Sequence, residues 1–89
     1  MLTIWKYPLS GLDTTCRIPS GGRVLSAHVQ GGTICIWVLV DDTIEARETR
    51  RFCIFGTGLP VYSGPMNFIG TALLHDEKLV WHVFERIAL

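Results

Sequence analysis

The chain is 89 residues long, enough for one domain, and at this size much apolar surface must stay near the outside. Hydrophobic residues make up 48% of it and charged residues only 18%, so its surface is short of charge and self-association is expected. The formal net charge of +0 excludes the broad basic field that general nucleic-acid binding needs. We therefore predict a single domain over 1–89 that forms a homo-oligomer.

Neither secretion nor membrane insertion is predicted. The N-terminal stretch MLTIWKYPLSG has no long apolar core and no small-residue cleavage site. The longest nearly uninterrupted apolar run, TICIWVLV, is far shorter than the ~20 residues of a membrane-spanning helix. Cys16, Cys35 and Cys53 are far apart in sequence and form no CxxC pair, which favours reduced, buried thiols. These features predict a cytosolic protein.

Alternating runs rich in β-branched and aromatic residues, separated by turn residues, predict strands along the whole chain. In chain order they are TIWKYPL, TTCRI, RVLSAHVQ, TICIWVLV, TRRFCIF, NFIGTALL and KLVWHVFERI. The predicted fold class is therefore all-β, a small antiparallel sandwich or barrel of about seven short strands.

The connections between these strands carry their own signals. Gly31-Gly32 supplies the positive φ angles of a two-residue hairpin turn. The strand that follows this turn is apolar on both faces, which predicts a central strand. The charged stretch DDTIEARE (41–48) is interpreted as the loop of a wide hairpin, and a last hairpin is expected to turn at 75–77.

The C-terminal strand is also apolar on both faces, so it needs cover on both sides. In a small domain with one core layer, the second cover can come from another copy of the chain. We therefore predict an oligomer interface that contains Trp81, Val83 and Phe84.

The stretch RRFCIFGTGLP sets two arginines and a Gly-Thr-Gly turn around an apolar strand. Guanidinium groups and glycine-rich backbone amides can together hold an anion, so the predicted ligand-binding residues are Arg50, Arg51, Gly56, Thr57 and Gly58. On a strand the two arginines point to opposite faces, so only one is expected to face a pocket within a subunit, and the other is left to reach a neighbouring subunit or a second part of a ligand. The alternative is a pair of solvated edge arginines and a strand exit that uses glycine for its geometry.

No metal site, cofactor or catalytic residue is predicted, and the chain is not expected to be an enzyme. His28, His75 and His82 do not have the spacing of a metal site, and no nucleophile lies in a strand-elbow-helix context. His82 is interpreted as a hydrogen-bonded core or interface histidine.

The segments RRFCIFGTG and LVWHVFE, together with IWKYPL and IPSGGRVLSAHVQGG, resemble a family of small proteins encoded by tailed phages and prophages, a domain of unknown function. The resemblance spans nearly the whole chain. Many members carry a histidine after Gly-Thr-Gly where this chain has Leu59, so no acid–base or metal role is carried over to the loop. What the resemblance implies is a phage accessory gene product in the cytoplasm of a bacterial host.

Two functions from different classes fit a small non-catalytic phage protein, and both are stoichiometric binding. The first is counter-defence by capture of a small anionic, nucleotide-like ligand in pockets of an oligomer. The second is inhibition of a host enzyme or nuclease complex by protein binding, in the manner of an anti-CRISPR protein, through the apolar, charge-poor surface. A minor virion component is a third possibility. The arginines and the glycine-rich turn favour ligand capture.

Overall fold

The computed structural model describes residues 1–76 and 78–87, which form seven strands in two antiparallel sheets. The strands are β1 (Leu2–Pro8), β2 (Asp13–Pro19), β3 (Arg23–Gln30), β4 (Thr33–Asp41), β5 (Arg47–Gly56), β6 (Met66–Leu74) and β7 (Leu79–Arg86). This confirms the predicted all-β class and the strand number. In this part of the chain there is no helix that could span a membrane.

The two sheets have three and four strands and face each other across one core. The three-stranded sheet has the order β1-β4-β3, and the four-stranded sheet has the order β2-β5-β7-β6. The prediction that β4 is a central strand is confirmed. The inner face of β4 presents Ile36, Val38 and Val40, each at most 1% exposed, because alternation along the strand sends every second side chain inward. Phe52 and Val83 of the four-stranded sheet belong to the same buried cluster, and both are fully buried.

The β3–β4 hairpin turns at Gly31 and Gly32, as predicted. Their φ angles are 60° and 78°, which is the left-handed region that a two-residue turn of the primed type requires. The register of the two strands is continuous from this turn to the pair Ser26 and Trp37. Glycine is used here because a Cβ atom in the left-handed region clashes with the backbone.

Replacing Gly32 with alanine is expected to lower the free energy of unfolding by about 1–2 kcal/mol, since the new Cβ must adopt the left-handed region. Gly11→Ala is the matched control, because Gly11 has open space around it and no left-handed φ. Chemical denaturation of the two variants measures the difference. Equal midpoints would contradict the conformational role of Gly32.

The connection between β4 and β5 differs from the prediction. The stretch 41–48 is not the loop of a wide hairpin, because β4 and β5 lie in different sheets. Both edges of β4 are already occupied, by β1 on one side and β3 on the other, so β5 crosses to the other sheet and pairs with β2 and β7.

The predicted hairpin near the C-terminus is present. Strands β6 and β7 pair from Met66 and Arg86 to Leu74 and Leu79. His75 and Asp76 have φ angles of 50° and 54°, so the turn uses the left-handed region without glycine. Glu77, the last residue of the predicted turn, lies outside the described residues.

One side of the sandwich is closed and the other is open. On the closed side, β3 of one sheet lies against β6 of the other, and both strands carry a bulge. The approach is close at Gly70, where a Cβ atom would lie 3.5 Å from the carbonyl oxygen of Ala27. On the open side, β1 and β2 are the edge strands of their sheets.

Candidate anion-binding groove on the four-stranded sheet

Arg50 and Arg51 point to opposite faces of β5, as the alternation predicts. Arg50 shares the inner face with Phe52 and Ile54, and Arg51 shares the outer face with Cys53. The side chain of Arg50 is 19% exposed and that of Arg51 is 52% exposed. The two guanidinium groups therefore have different surroundings and different roles.

The guanidinium of Arg50 is held by the chain itself. Its Nη2 donates to Glu85 Oε1 at 2.9 Å, and its Nε donates to the other oxygen of the same carboxylate. Its Nη1 donates to Glu48 Oε1 at 2.9 Å and to the carbonyl oxygen of Gly22 at 2.7 Å. The hydrogen bonds that Arg50 donates to Glu85 raise the pKa of Arg50 above its ordinary value, while burial opposes them. With these donors occupied, Arg50 joins β5, β7 and the 20–22 turn, and we assign it a structural role.

The Gly56-Thr57-Gly58 turn lies at the other end of β5. Five residues of strand separate Arg51 from Gly56, about 17 Å at ~3.3 Å per residue. The amide of Thr57 donates to the carbonyl of Val80 at 3.1 Å, and the amide of Leu59 donates to the carbonyl of Gly56 at 3.0 Å, which closes a β-turn. Gly58 has φ 84°, the conformation that the third residue of a type II turn needs. Within one subunit, the turn and the arginines therefore do not meet at one pocket.

His82 links this turn to the neighbouring strand. Its Nε2 lies 2.8 Å from the hydroxyl of Thr57, and its Nδ1 lies 3.1 Å from the hydroxyl of Thr71. His82 is hydrogen-bonded, as the sequence predicts, but it lies half-buried on the outer face of β7 and not in the core, and its place in an interface stays a prediction. The Thr57 amide, named with its neighbours as a ligand donor from the sequence, donates to Val80 instead, and the Thr57 hydroxyl helps to fix the exit of β5 against β6 and β7.

A groove of about 920 Å³ lies beside the start of β5 and the end of β7. Its walls come from β5, from β7 and from the 63–67 segment, which is fixed to β7 because the amide of Ile87 donates to the carbonyl of Pro65 at 3.1 Å. Arg50, Glu48 and Glu85 line it as the internal ion-paired group described above. The volume is within the range of small-molecule sites.

Among the described residues that line the groove, the remaining cations are Arg51 and Arg86. They are direct cross-strand partners in the β5–β7 register and point to the same outer face. Like charges directly opposite on a sheet destabilise it, so this pair favours an anionic group between the two guanidiniums. Asp13 offsets the charge in part, at 3.3 Å from Arg51 Nη2. The guanidinium of Arg86 lies 5.0 Å from the ring centroid of Tyr62, an exposed ring that contacts this arginine but does not itself line the groove.

The sequence identified Arg51 but not Arg86 or Tyr62. Alternation along β7 places Arg86 on the same face as Phe84, but only the register of β5 against β7 brings it opposite Arg51. Since the residues paired in that register are 25 to 35 positions apart in sequence, the local pattern carries no signal for it.

The residues predicted for an oligomer interface separate in the structure. Val83 is fully buried in the core between the sheets, and Trp81 packs against the same core from the inner face of β7. A second copy cannot reach Val83 without opening the domain, which corrects the prediction for that residue. Phe84 points to the outer face and remains available in part.

Phe84 belongs to a row of aromatic rings on the outer face of the four-stranded sheet. Its ring lies 5.7 Å from Phe55 and 5.3 Å from Phe68, and Phe55 in turn lies 5.3 Å from Tyr62. All these contacts are edge-on, the geometry that aromatic pairs prefer. Part of the cover that the apolar outer face needs is therefore supplied by the chain itself, while Phe68 at the end of the row is 58% exposed.

The cysteines are buried and unpaired, as the sequence predicts. Burial raises the pKa of the Cys16 and Cys53 thiols, which keeps both protonated near neutral pH. Over residues 1–76 and 78–87, no three histidine, cysteine or acidic side chains come together as a metal site.

Comparison with known proteins gives a family but no function. A family model described as a domain of unknown function (DUF7352) matches residues 1–88. No curated protein and no solved structure matches the chain at a significant level.

Proposed function

Since the chain belongs to the DUF7352 family, whose function is unknown, we propose from the geometry of its groove that it is a non-catalytic binding protein for a small anionic ligand. The observation that carries this proposal is the direct cross-strand pairing of Arg51 with Arg86 at the border of a groove of about 920 Å³. An anionic group between these guanidiniums removes their mutual repulsion and accepts charge-assisted hydrogen bonds from both.

The proposed ligand class is nucleotide-like. A phosphate matches the fork of donors that a guanidinium presents. Tyr62 is 53% exposed beside Arg86, so its ring is placed to contact a planar base attached to that phosphate. Ser63 and Asn67 add polar side chains to the wall of the groove. Compared with the site predicted from the sequence, the proposed site keeps Arg51 and replaces Arg50 and the Gly-Thr-Gly turn by Arg86 and Tyr62.

The proposed setting rests on the resemblance to small tailed-phage proteins. In that setting the protein acts in the cytoplasm of a bacterial host and sequesters a nucleotide signal of a defence pathway. Stoichiometric capture needs only a binding site and enough copies of the protein, which suits a chain of 89 residues.

The second candidate function is binding to a host protein. It is favoured by the aromatic row on the four-stranded sheet, which ends at the exposed ring of Phe68, with Leu73 on the same face 45% exposed. Exposed aromatic side chains are frequent anchors of protein interfaces.

A thermal-shift screen tests ligand capture. At a hundredfold excess over Kd a ligand stabilises the folded state by about 2.7 kcal/mol. For a domain of this size we expect a rise in melting temperature of more than about 10 °C, at roughly 4–8 °C per kcal/mol. The probes are cyclic dinucleotides, ADP-ribose derivatives and common mononucleotides.

The matched variants are Arg86→Ala in the groove and Arg23→Ala on β3 of the other sheet. Arg86→Ala is expected to abolish the shift and to leave the melting temperature without ligand almost unchanged. Arg23→Ala removes the same charge from an exposed position outside the groove and should keep the full shift. If no probe raises the melting temperature, or if both variants lose the shift equally, ligand capture in this groove is wrong and protein binding becomes the better candidate.

A further inference from the structure

The outer edge of β1 is free for another strand. Within the described part of the chain, β1 is hydrogen-bonded only to β4. Beyond the strand ends, the amide of Leu9 donates to the carbonyl of Ile34, and the amide of Asp42 donates to the carbonyl of Met1. In an antiparallel pair such bonds recur at every second residue, so the odd-numbered residues of β1 bond to β4. The amides of Leu2, Ile4 and Lys6 therefore point away from β4, toward the open side.

This edge is the least protected one of the fold. On the closed side, β3 and β6 carry bulges and lie against each other. In β2 the alternation is the opposite, because the amide of Ile54 donates to the carbonyl of Leu12. The even-numbered residues of β2 therefore bond to β5, and the amides and carbonyls of its odd-numbered residues point to the free edge. Two of these, Asp13 and Arg17, are charged and a third, Pro19, has no amide, and such residues block strand addition.

The corresponding positions of β1 are apolar over its first half. Leu2 is 67% exposed and Ile4 is 54% exposed, and the register of β1 with β4 runs without a bulge. Only Lys6 and Pro8, at the far end, are residues that discourage pairing. An exposed, regular and apolar edge strand is a template for another strand.

We propose that β1 pairs with β1 of a second copy of this chain, antiparallel and about a two-fold axis at Ile4. In this register Ile4 lies opposite the partner's Ile4, and Leu2 lies opposite the partner's Lys6. Each of these pairs exchanges two backbone hydrogen bonds through the free amides and carbonyls. The two three-stranded sheets become one continuous sheet across the dimer.

The side chains on the outer face suit this occupant. Ile4 lies opposite Leu39 within the chain, so the dimer extends an apolar row from Leu39 through both Ile4 side chains to the second Leu39. Leu2 lies opposite Asp41 on its other side, within the chain. Asp41, Leu2 and the partner's Lys6 therefore form one row of side chains across the dimer. The register thus places the two Ile4 side chains against each other and brings Lys6 of each copy toward Asp41 of the other, whereas a parallel arrangement would set the Lys6 side chains side by side.

Sedimentation and amide exchange test the dimer. We expect the purified chain at micromolar concentration to sediment with twice the monomer mass. Ile4→Pro is expected to restore the monomer mass, because it removes an outward amide and no bond to β4. Ile4→Val keeps the amide and an apolar β-branched side chain, and it should remain a dimer. A monomeric wild type or a dimeric Ile4→Pro variant would refute the proposal.

Hydrogen exchange on the wild type gives an answer even if Ile4→Pro does not fold. In the dimer the amides of Ile4 and Lys6 are expected to exchange slowly, like those of Thr3 and Trp5, and to exchange faster on dilution. Rapid exchange of Ile4 and Lys6 at every concentration, with Thr3 and Trp5 protected, would show that the edge stays in water and would overturn the proposal.

Discussion

Replacing Phe52 with alanine is expected to lower the free energy of unfolding by about 3–5 kcal/mol, because the variant loses a fully buried ring and leaves a cavity between the sheets. A domain of this length has a total stability of roughly 4–13 kcal/mol at about 0.05–0.15 kcal/mol per residue. The substitution therefore removes a large part of it. At roughly 4–8 °C per kcal/mol, the melting temperature should fall by about 12–40 °C.

Phe68→Ala is the matched control for this loss. It removes the same ring from the outer face, where Phe68 is 58% exposed, so the expected change is within about 0.5–1 kcal/mol. Denaturant titration followed by tryptophan fluorescence measures both variants. A loss at Phe68 as large as that at Phe52 would mean that the outer face is buried in solution and that the core does not lie where the sandwich places it.

Removing the guanidinium of Arg50 should have the second-largest effect. Arg50→Leu leaves the partly buried carboxylate of Glu85, 15% exposed, without its partner, and such a loss costs up to about 3–5 kcal/mol when the unpaired charge is fully buried. Arg51→Leu is the matched control one residue away. Arg51 is half-exposed and its contact with Asp13 is long, so its loss should cost less than about 1 kcal/mol.

A double variant distinguishes the cost of the unpaired Glu85 charge from the cost of losing the packing of the Arg50 side chain. Arg50→Leu combined with Glu85→Leu removes the unpaired carboxylate as well, and it should recover most of the stability that Arg50→Leu loses. Urea midpoints of the three variants decide the point. If Arg50→Leu and Arg51→Leu cost the same, the assignment of Arg50 to a structural role is wrong.

The elements of the fold that depend on neighbouring residues could be predicted from the sequence. Alternation locates the strands, and Gly31-Gly32 locates a turn, because both signals come from a few adjacent residues. The distribution of strands between the two sheets could not be predicted in this way. β5 can pair with β4 only if one edge of β4 is free, and β1 and β3 occupy both edges. The residues of 41–48 carry no information about this, because the pairing of β1 and β3 is decided elsewhere in the chain.

The same limit explains the candidate site. The divergence of Arg50 and Arg51 follows from the two-residue period of a strand. The capture of Arg50 by Glu85 and the pairing of Arg51 with Arg86 follow from the register of β5 with β7, which distant contacts fix. The Gly-Thr-Gly turn is close to the arginines in sequence. Because the residues between them form an extended strand, the turn lies at the opposite end of β5.

β2 lies in a different sheet from β1 and β3, the strands before and after it in the chain. The three-stranded sheet is made wholly from residues before 42, and β5, β6 and β7 all follow residue 46, but β2 leaves the first half of the chain to complete the sheet of the second. Its side chain at Ile18 is fully buried there. The two halves are thus interlocked by a donated strand, and a protease that cuts the exposed 42–46 connection would leave two fragments still held together by the β2–β5 ladder and the core they share.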